Sequence, residues 1–192
     1  MRRSRLGLWV AFAAVALAAV SCGGGGGGGN GPTGPPPPQS AVVFTPSGGS
    51  GGSGIVLATG AGSQGTTLVL NVQTTGIQDL YGLGFHLAYP SNLMHLTAAA
   101  EGNVLNAGGT VQTIFEEVES PPGTIVVGLS RTGVVSGTGT GGTLLTLRFT
   151  AVASGTGALT FSANAANNSS GSPISGLTWG GGSVQITLVP GT

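Results

Sequence analysis

Few residues of this chain have chemistry beyond packing: His86 and His95, the cluster Glu116, Glu117 and Glu119, a lone Cys22, and Trp179. His86 and His95, placed on neighbouring strands, would offer a metal two nitrogens. No third ligand accompanies them, and His86 points outward beside Gly84 and Ala88, so both are expected to be surface histidines. The glutamates lack the Asp-x-Asp-x-Asp spacing of a calcium loop. Glycoside hydrolysis needs two carboxyls with one pKa raised by burial, whereas this chain has one Asp and four Glu, three of them crowded together. A solvated strand edge that blunts sheet-to-sheet pairing is the expected use of these charges. No catalytic residue, metal site or cofactor is expected.

Two glycine patterns satisfy catalytic expressions without their context. Gly137-x-Gly139-x-x-Gly142 is followed by the strand TLLTLRF rather than by a helix, so no dinucleotide site forms. Gly48-x-Ser50-x-Gly52 lies in a low-complexity repeat with no packed strand to strain a nucleophile turn. Trp179 has two readings. An exposed planar aromatic can stack on pyranose rings, with Tyr81 as a second candidate for carbohydrate stacking, or Trp179 can cover the end of the core.

These residues must be positioned by strands. Asp79 to Leu96 holds the longest alternation: Leu83, Phe85, Leu87 and Tyr89 on one face, Gly82, Gly84, His86 and Ala88 on the other. Pro90, Ser91 and Asn92 end that strand, and a second follows. Ala41 to Phe44 reads as a first short strand, a strand–turn–strand pattern begins at Ile55, and further period-2 runs appear at Leu68 to Val72, Ile125 to Leu129, Leu145 to Ala151, Leu159 to Ala163 and Val184 to Leu188. Val111 to Val118 does not alternate cleanly, which predicts a bulge or strand end near Glu116 and Glu117. Roughly nine strands with no helical periodicity after the leader predict an all-β antiparallel sandwich of jelly-roll type. Phe85, Leu87, Tyr89, Leu147, Phe149 and Phe161 are its expected core.

The chain has 192 residues, with Lys+Arg 5 and Asp+Glu 5 and no lysine. Arg2, Arg3 and Arg5 lie in the leader, leaving Arg131 and Arg148 against Asp79 and four glutamates, 2 − 5 = −3. Nucleic acid is excluded as a partner, since phosphate binding needs clustered cations. Residues 1–22 form a helical signal peptide: a basic start, then an apolar run from Leu6 to Val20. Ala19-Val20-Ser21-Cys22 resembles the lipobox of bacterial lipoproteins, which implies lipidation at Cys22, a membrane anchor and, with Gly23 next, sorting to the outer membrane. Residues 23–40, rich in Gly and Pro, form a disordered tether that holds the domain, residues 41–190, off the membrane. Residues 47–54 are expected to be a loop inside the domain.

GTTLVLNV (Gly65 to Val72), LYGLGFHLAYPSNLMHL (Leu80 to Leu96), GTIVVGLS (Gly123 to Ser130) and GGTLLTLRFTA (Gly141 to Ala151) together resemble the cohesin domain, within the wider group of cohesin-like and carbohydrate-binding-module sandwiches. Phe85, Leu87 and Tyr89 match the family's aromatic-x-aliphatic-x-Tyr strand end. Gly142, Leu144, Leu147 and Phe149 match its Gly-x-Leu-x-x-Leu-x-Phe strand. Pro90-Ser91 stands where the family has Asp-Pro. Gly82 and Gly84 occupy the positions of dockerin-contacting Asn and Asp in the cohesins of cellulosomes. The resemblance implies a non-catalytic binding module whose partner is a dockerin-like protein or a polysaccharide. If the strands pair as in cohesins, the implied binding face carries Gly82, Gly84, His86 and Ala88 with Thr124, Val126, Gly128 and Ser130, lacking bulky side chains and formal charges. The alternative is a structural or self-associating envelope component without a dissociable ligand.

Overall fold

The computed structural model describes residues 39–48 and 52–190. Residues 1–38, on which the expected signal peptide, Cys22 and most of the expected tether fall, lie outside the described residues. In chain order the strands are β1 (Ala41–Pro46), β2 (Gly54–Thr59), β3 (Thr67–Thr75), β4 (Leu80–Ala88), β5 (Met94–Glu101), β6 (Thr113–Glu119), β7 (Thr124–Arg131), β8 (Gly142–Ala151), β9 (Gly155–Asn168), β10 (Thr178–Gly180) and β11 (Gly182–Thr187). One 3₁₀ turn, Ala107–Gly109, interrupts them. No helix among the described residues is long and apolar enough to cross a membrane.

The strands form two sheets in the orders β1-β11-β9-β4-β7-β6 and β10-β2-β3-β8-β5, an all-β jelly-roll sandwich. Eleven strands replace the expected nine or so; one of the additions, β10, spans only three residues, too few for alternation to reveal. That strand also makes the single parallel pairing among the described residues, with β2; the other strand pairs are antiparallel. Because β1 pairs with β11 and β2 with β3, residues 47–54 connect two strands of the same domain.

β4 is interior to its sheet, between β9 and β7. Leu83, Phe85, Leu87 and Tyr89 are buried as the alternation predicts. At the strand's start the register shifts by one residue between Leu80 and Gly82, a bulge that lets Leu80 point inward as well. After Tyr89 the chain leaves the sheet: the amides of Leu93 and Met94 donate to the Pro90 carbonyl at 2.9 and 3.1 Å, and β5 pairs with β8 in the opposite sheet. The strand–turn–strand around Pro90 is thus an arch across the sandwich. His86 and His95 consequently sit on different sheets, not on neighbouring strands.

Phe85, Leu87, Tyr89, Leu147 and Phe149 lie in the core, together with the inward rows of β2, β3, β7 and β11. Phe161 is a correction: it is half-buried. It packs edge-on against Phe85, centroids 5.1 Å apart, at the margin of the sandwich where only short β10 faces it. Two residues later Ala163 takes φ 49°, and one extra β9 residue between Ser162 and Ala165 reverses the inward face, so Ala166 is buried and Ala163 exposed. β6 is a second correction. Its register against β7 runs without a shift from Thr113 to Glu119, so no bulge forms near Glu116. As an edge strand it is covered poorly on both faces, and its apolar alternation is therefore not enforced.

Candidate functional site

Register places the predicted face residues together. Gly82 pairs with Ser130, Gly84 with Gly128, His86 with Val126 and Ala88 with Thr124. β6 and β9 extend each row: Asn167–Gly82–Ser130–Ile114, Ala165–Gly84–Gly128–Glu116, and Ser162–His86–Val126–Val118. The middle row has bare backbone at two adjacent positions. A Cβ on Gly128 would meet nothing within 4 Å, and one on Gly84 only the Val127 carbonyl at 3.5 Å. A Cβ on Gly82 would strike the Ser130 hydroxyl at 2.8 Å, so Gly82 serves packing rather than access.

The result is a shallow depression of about 390 Å³ bordered by Gly84, Ile114, Glu116, Gly128, Ser130 and Asn167, with a second beyond it bordered by Glu116, Val118 and Val126. The face differs from the flat, uncharged surface expected. Edge strand β6 adds Ile114 and Val118, 56% and 55% exposed, and the Glu116 carboxylate at the end of the glycine row. The sequence concealed this because β6 is joined to β7 through Ser120-Pro121-Pro122-Gly123, and only pairing shows which of its residues share the outer face.

Glu119 behaves differently from its two neighbours. Its Oε1 accepts from the Tyr89 hydroxyl at 2.5 Å and from the Gly123 amide at 2.8 Å. The Tyr89 hydrogen bond, then that amide, hold the carboxyl below the usual glutamate range. Burial first, and the Glu119 hydrogen bond second, push the Tyr89 phenol up to about 12. Glu119, exposed on the edge strand, also ties the β6–β7 turn to the end of β4.

Two residues of structural importance escaped the sequence because their partners are distant backbone groups. Arg131, 8% exposed, closes β7 by donating from Nε to the Leu105 carbonyl at 2.8 Å and from its terminal nitrogens to the carbonyls of Ser136 and Val104. Asp79, at φ 54°, accepts from the Gly137 amide at 2.8 Å and the Ser169 hydroxyl at 2.9 Å. The Ser169 hydrogen bond chiefly holds its carboxyl low. Together these residues pin the loops at the end of the sandwich where β4 begins.

The two candidate stacking aromatics do not meet. Tyr81, at the β4 bulge, donates its hydroxyl to the Gly133 carbonyl at 2.7 Å. Trp179 is half-buried beside Phe161 and Phe85, centroids at 5.4 and 5.9 Å. Among the described residues no group of three or more His, Cys, Asp or Glu could hold a metal ion.

No protein-family model matches the chain, and no curated protein matches it. Solved structures do. The cohesin CaCohA2 of Clostridium acetobutylicum, solved in complex with a variant of CaDoc0917, superposes with TM-score 0.59 at 16% identity, covering 71% of this chain and 100% of its own. The seventh ScaB type I cohesin of Pseudobacteroides cellulosolvens gives TM-score 0.59 at 15% identity over 72% of this chain and 94% of its own. A non-cellulosomal cohesin of the archaeon Archaeoglobus fulgidus gives 0.53 at 19% identity over 68% and 88%. The described residues therefore form a domain with the cohesin-like β-sandwich fold.

Proposed function

We propose that this domain is a non-catalytic module that binds another protein through the outer face of β9, β4, β7 and β6. The observation that supports this reading is the row Gly84–Gly128–Glu116: exposed backbone flanked by the accessible apolar side chains Ile114, Val118 and Val126. Such a surface admits close approach by a partner and offers it apolar contact. Cohesins of the same fold have been solved with dockerins, among them a sixth scaffoldin B cohesin of Acetivibrio cellulolyticus with a Cel5 dockerin. A dockerin-like protein is accordingly the first partner class to test. With glycine at both positions of the family's Asn and Asp contacts, the partner meets fewer directional hydrogen bonds here, and modest affinity per contact follows. Polysaccharide is disfavoured on this face because no aromatic side chain stands on it. Lipidation at Cys22 and the tether at 23–40 complete the proposal: an exported module displayed on the outer membrane, where many copies on one surface compensate for weak single contacts.

The test is affinity capture from an envelope extract by the full chain and by its Gly84→Arg variant. A Cβ at position 84 makes only an ordinary contact, so the variant keeps its fold while bulk and charge enter the middle of the row. A partner held by the parent and lost by the variant supports the face. Equal capture by a folded variant moves the site elsewhere. Cross-linking of the chain to itself with no dissociable partner supports the structural alternative.

A further inference from the structure

A second groove, separate from the glycine row, lies where β9 hands the chain over to β10. Beyond the Ala163 bulge, residues 172–174 fold back along β9: the Asn168 amide donates to the Ser172 carbonyl at 2.9 Å and the Ile174 amide to the Ala166 carbonyl at 2.8 Å. Between this return and β10 opens a groove of about 280 Å³ bordered by Asn164, Asn167, Ile174, Leu177 and Trp179. No charged side chain lines it. Trp179, partly buried against the core, stands at its border, and its neighbours Phe85 and Phe161 meet it at 57° and 65°, so neither lies flat against the ring. Asn168 spends its side-chain oxygen on the Ser170 and Ser172 amides. Among the described residues the side-chain amides of Asn164 and Asn167 have no partner within the protein.

We propose that this groove binds one ring of a neutral saccharide. The chemistry of the lining favours that ligand class. An indole surface suits the apolar C–H face of a pyranose, and each asparagine amide offers both a donor and an acceptor to vicinal hydroxyls. The absence of charge disfavours phosphorylated or uronic ligands, and the volume lies just below the usual range for small-molecule sites, room for one ring rather than a chain. Backing by Phe85 and Phe161 holds the indole in place before the ligand arrives, which lowers the ordering cost of binding. This site shares Asn167 with the docking face and is set apart from it by Asn164, Ile174, Leu177 and Trp179, which border the groove alone.

The test exploits tryptophan count. In the full chain carrying Trp9→Phe, Trp179 is the sole tryptophan, and its emission reports the groove directly. Cellohexaose, xylohexaose, mannohexaose and maltohexaose are titrated in turn. At least one is expected to give a saturable blue shift with Kd on the order of 0.1–1 mM, and Asn164→Ala to weaken it about tenfold without moving the melting temperature. Gly128→Arg, on the sheet face, is expected to leave the shift unchanged. No saturable change with any of the four up to ~10 mM overturns the proposal. Full binding by Asn164→Ala, or loss of binding in folded Gly128→Arg, overturns it as well.

Discussion

The Tyr89 hydroxyl donates to Glu119 Oε1 at 2.5 Å, joining the last buried residue of the β4 row to the end of edge strand β6 thirty positions away. The same oxygen takes the Gly123 amide, so one carboxylate closes the β6–β7 turn and satisfies a buried phenol. Its pH consequences have opposite signs on the two sides of neutrality. Glu119 has a depressed folded pKa, so its contribution is present above the unfolded value, about 4.3, and is lost as pH falls through the folded one. Tyr89 has a raised folded pKa, so its contribution is present below about 10 and is lost as pH rises toward about 12. Urea midpoints measured from pH 3 to pH 11 are expected to form a plateau with two falling shoulders, the acid one reduced in Glu119→Gln and the alkaline one absent in Tyr89→Phe. Identical profiles for parent and variants would remove the pair from any role in stability.

Phe85 and Phe161 touch each other but are not equivalent. Phe85 is 1% exposed in the middle of the core, and Phe85→Ala is expected to cost about 3–5 kcal/mol. Phe161 is only partly buried, and Phe161→Ala is expected to cost less, roughly 1–2 kcal/mol, because less apolar surface is withdrawn from water there. Denaturant titration decides the order. Equal losses would contradict the margin position of Phe161.

Arg131 collects three backbone carbonyls in a buried site. Arg131→Met leaves those oxygens without their donor and is expected to cost about 3 kcal/mol. Arg131→Lys should recover little, because one ammonium cannot reproduce the spread of the guanidinium fork. Full stability in the Lys variant would show that charge, not fork geometry, is what the site requires.

The glycines of the outer face separate into two kinds. Gly128→Ala is expected to be neutral or to stabilise by about 0.5 kcal/mol, since its Cβ enters open space and the unfolded chain loses freedom. Gly82→Ala must displace Ser130 and is expected to cost about 1–2 kcal/mol. Thermal melts of the two single variants measure the difference, and a larger loss at Gly128 would refute the open row on which the docking proposal rests.

Cys22→Ser is expected to shift the full chain from the membrane to the soluble fraction, because signal cleavage would leave a Gly- and Pro-rich tether with no apolar anchor. Retention in membranes after a carbonate wash would end the lipoprotein proposal.

Much of this fold is written locally. Inward rows such as Leu83–Phe85–Leu87–Tyr89 and Leu145–Leu147–Phe149 are visible because strands interior to a sandwich must alternate to bury one face, and that constraint acts on neighbouring residues. The same rule fails where burial is relaxed or the period slips. Edge strand β6 puts Ile114 and Val118 outside, and the Ala163 bulge reverses β9 in mid-strand. Long-range partners left no local trace: Arg131 with the carbonyls of Val104 and Leu105, and Tyr89 with Glu119, are brought together only by pairing and packing. Residue types therefore determined that a flat-centred β-face would exist, whereas tertiary structure decided that the β6–β7 hairpin docks on β4 and flanks that face with an acidic, apolar edge, because the β4–β7 pairing joins segments far apart in the chain.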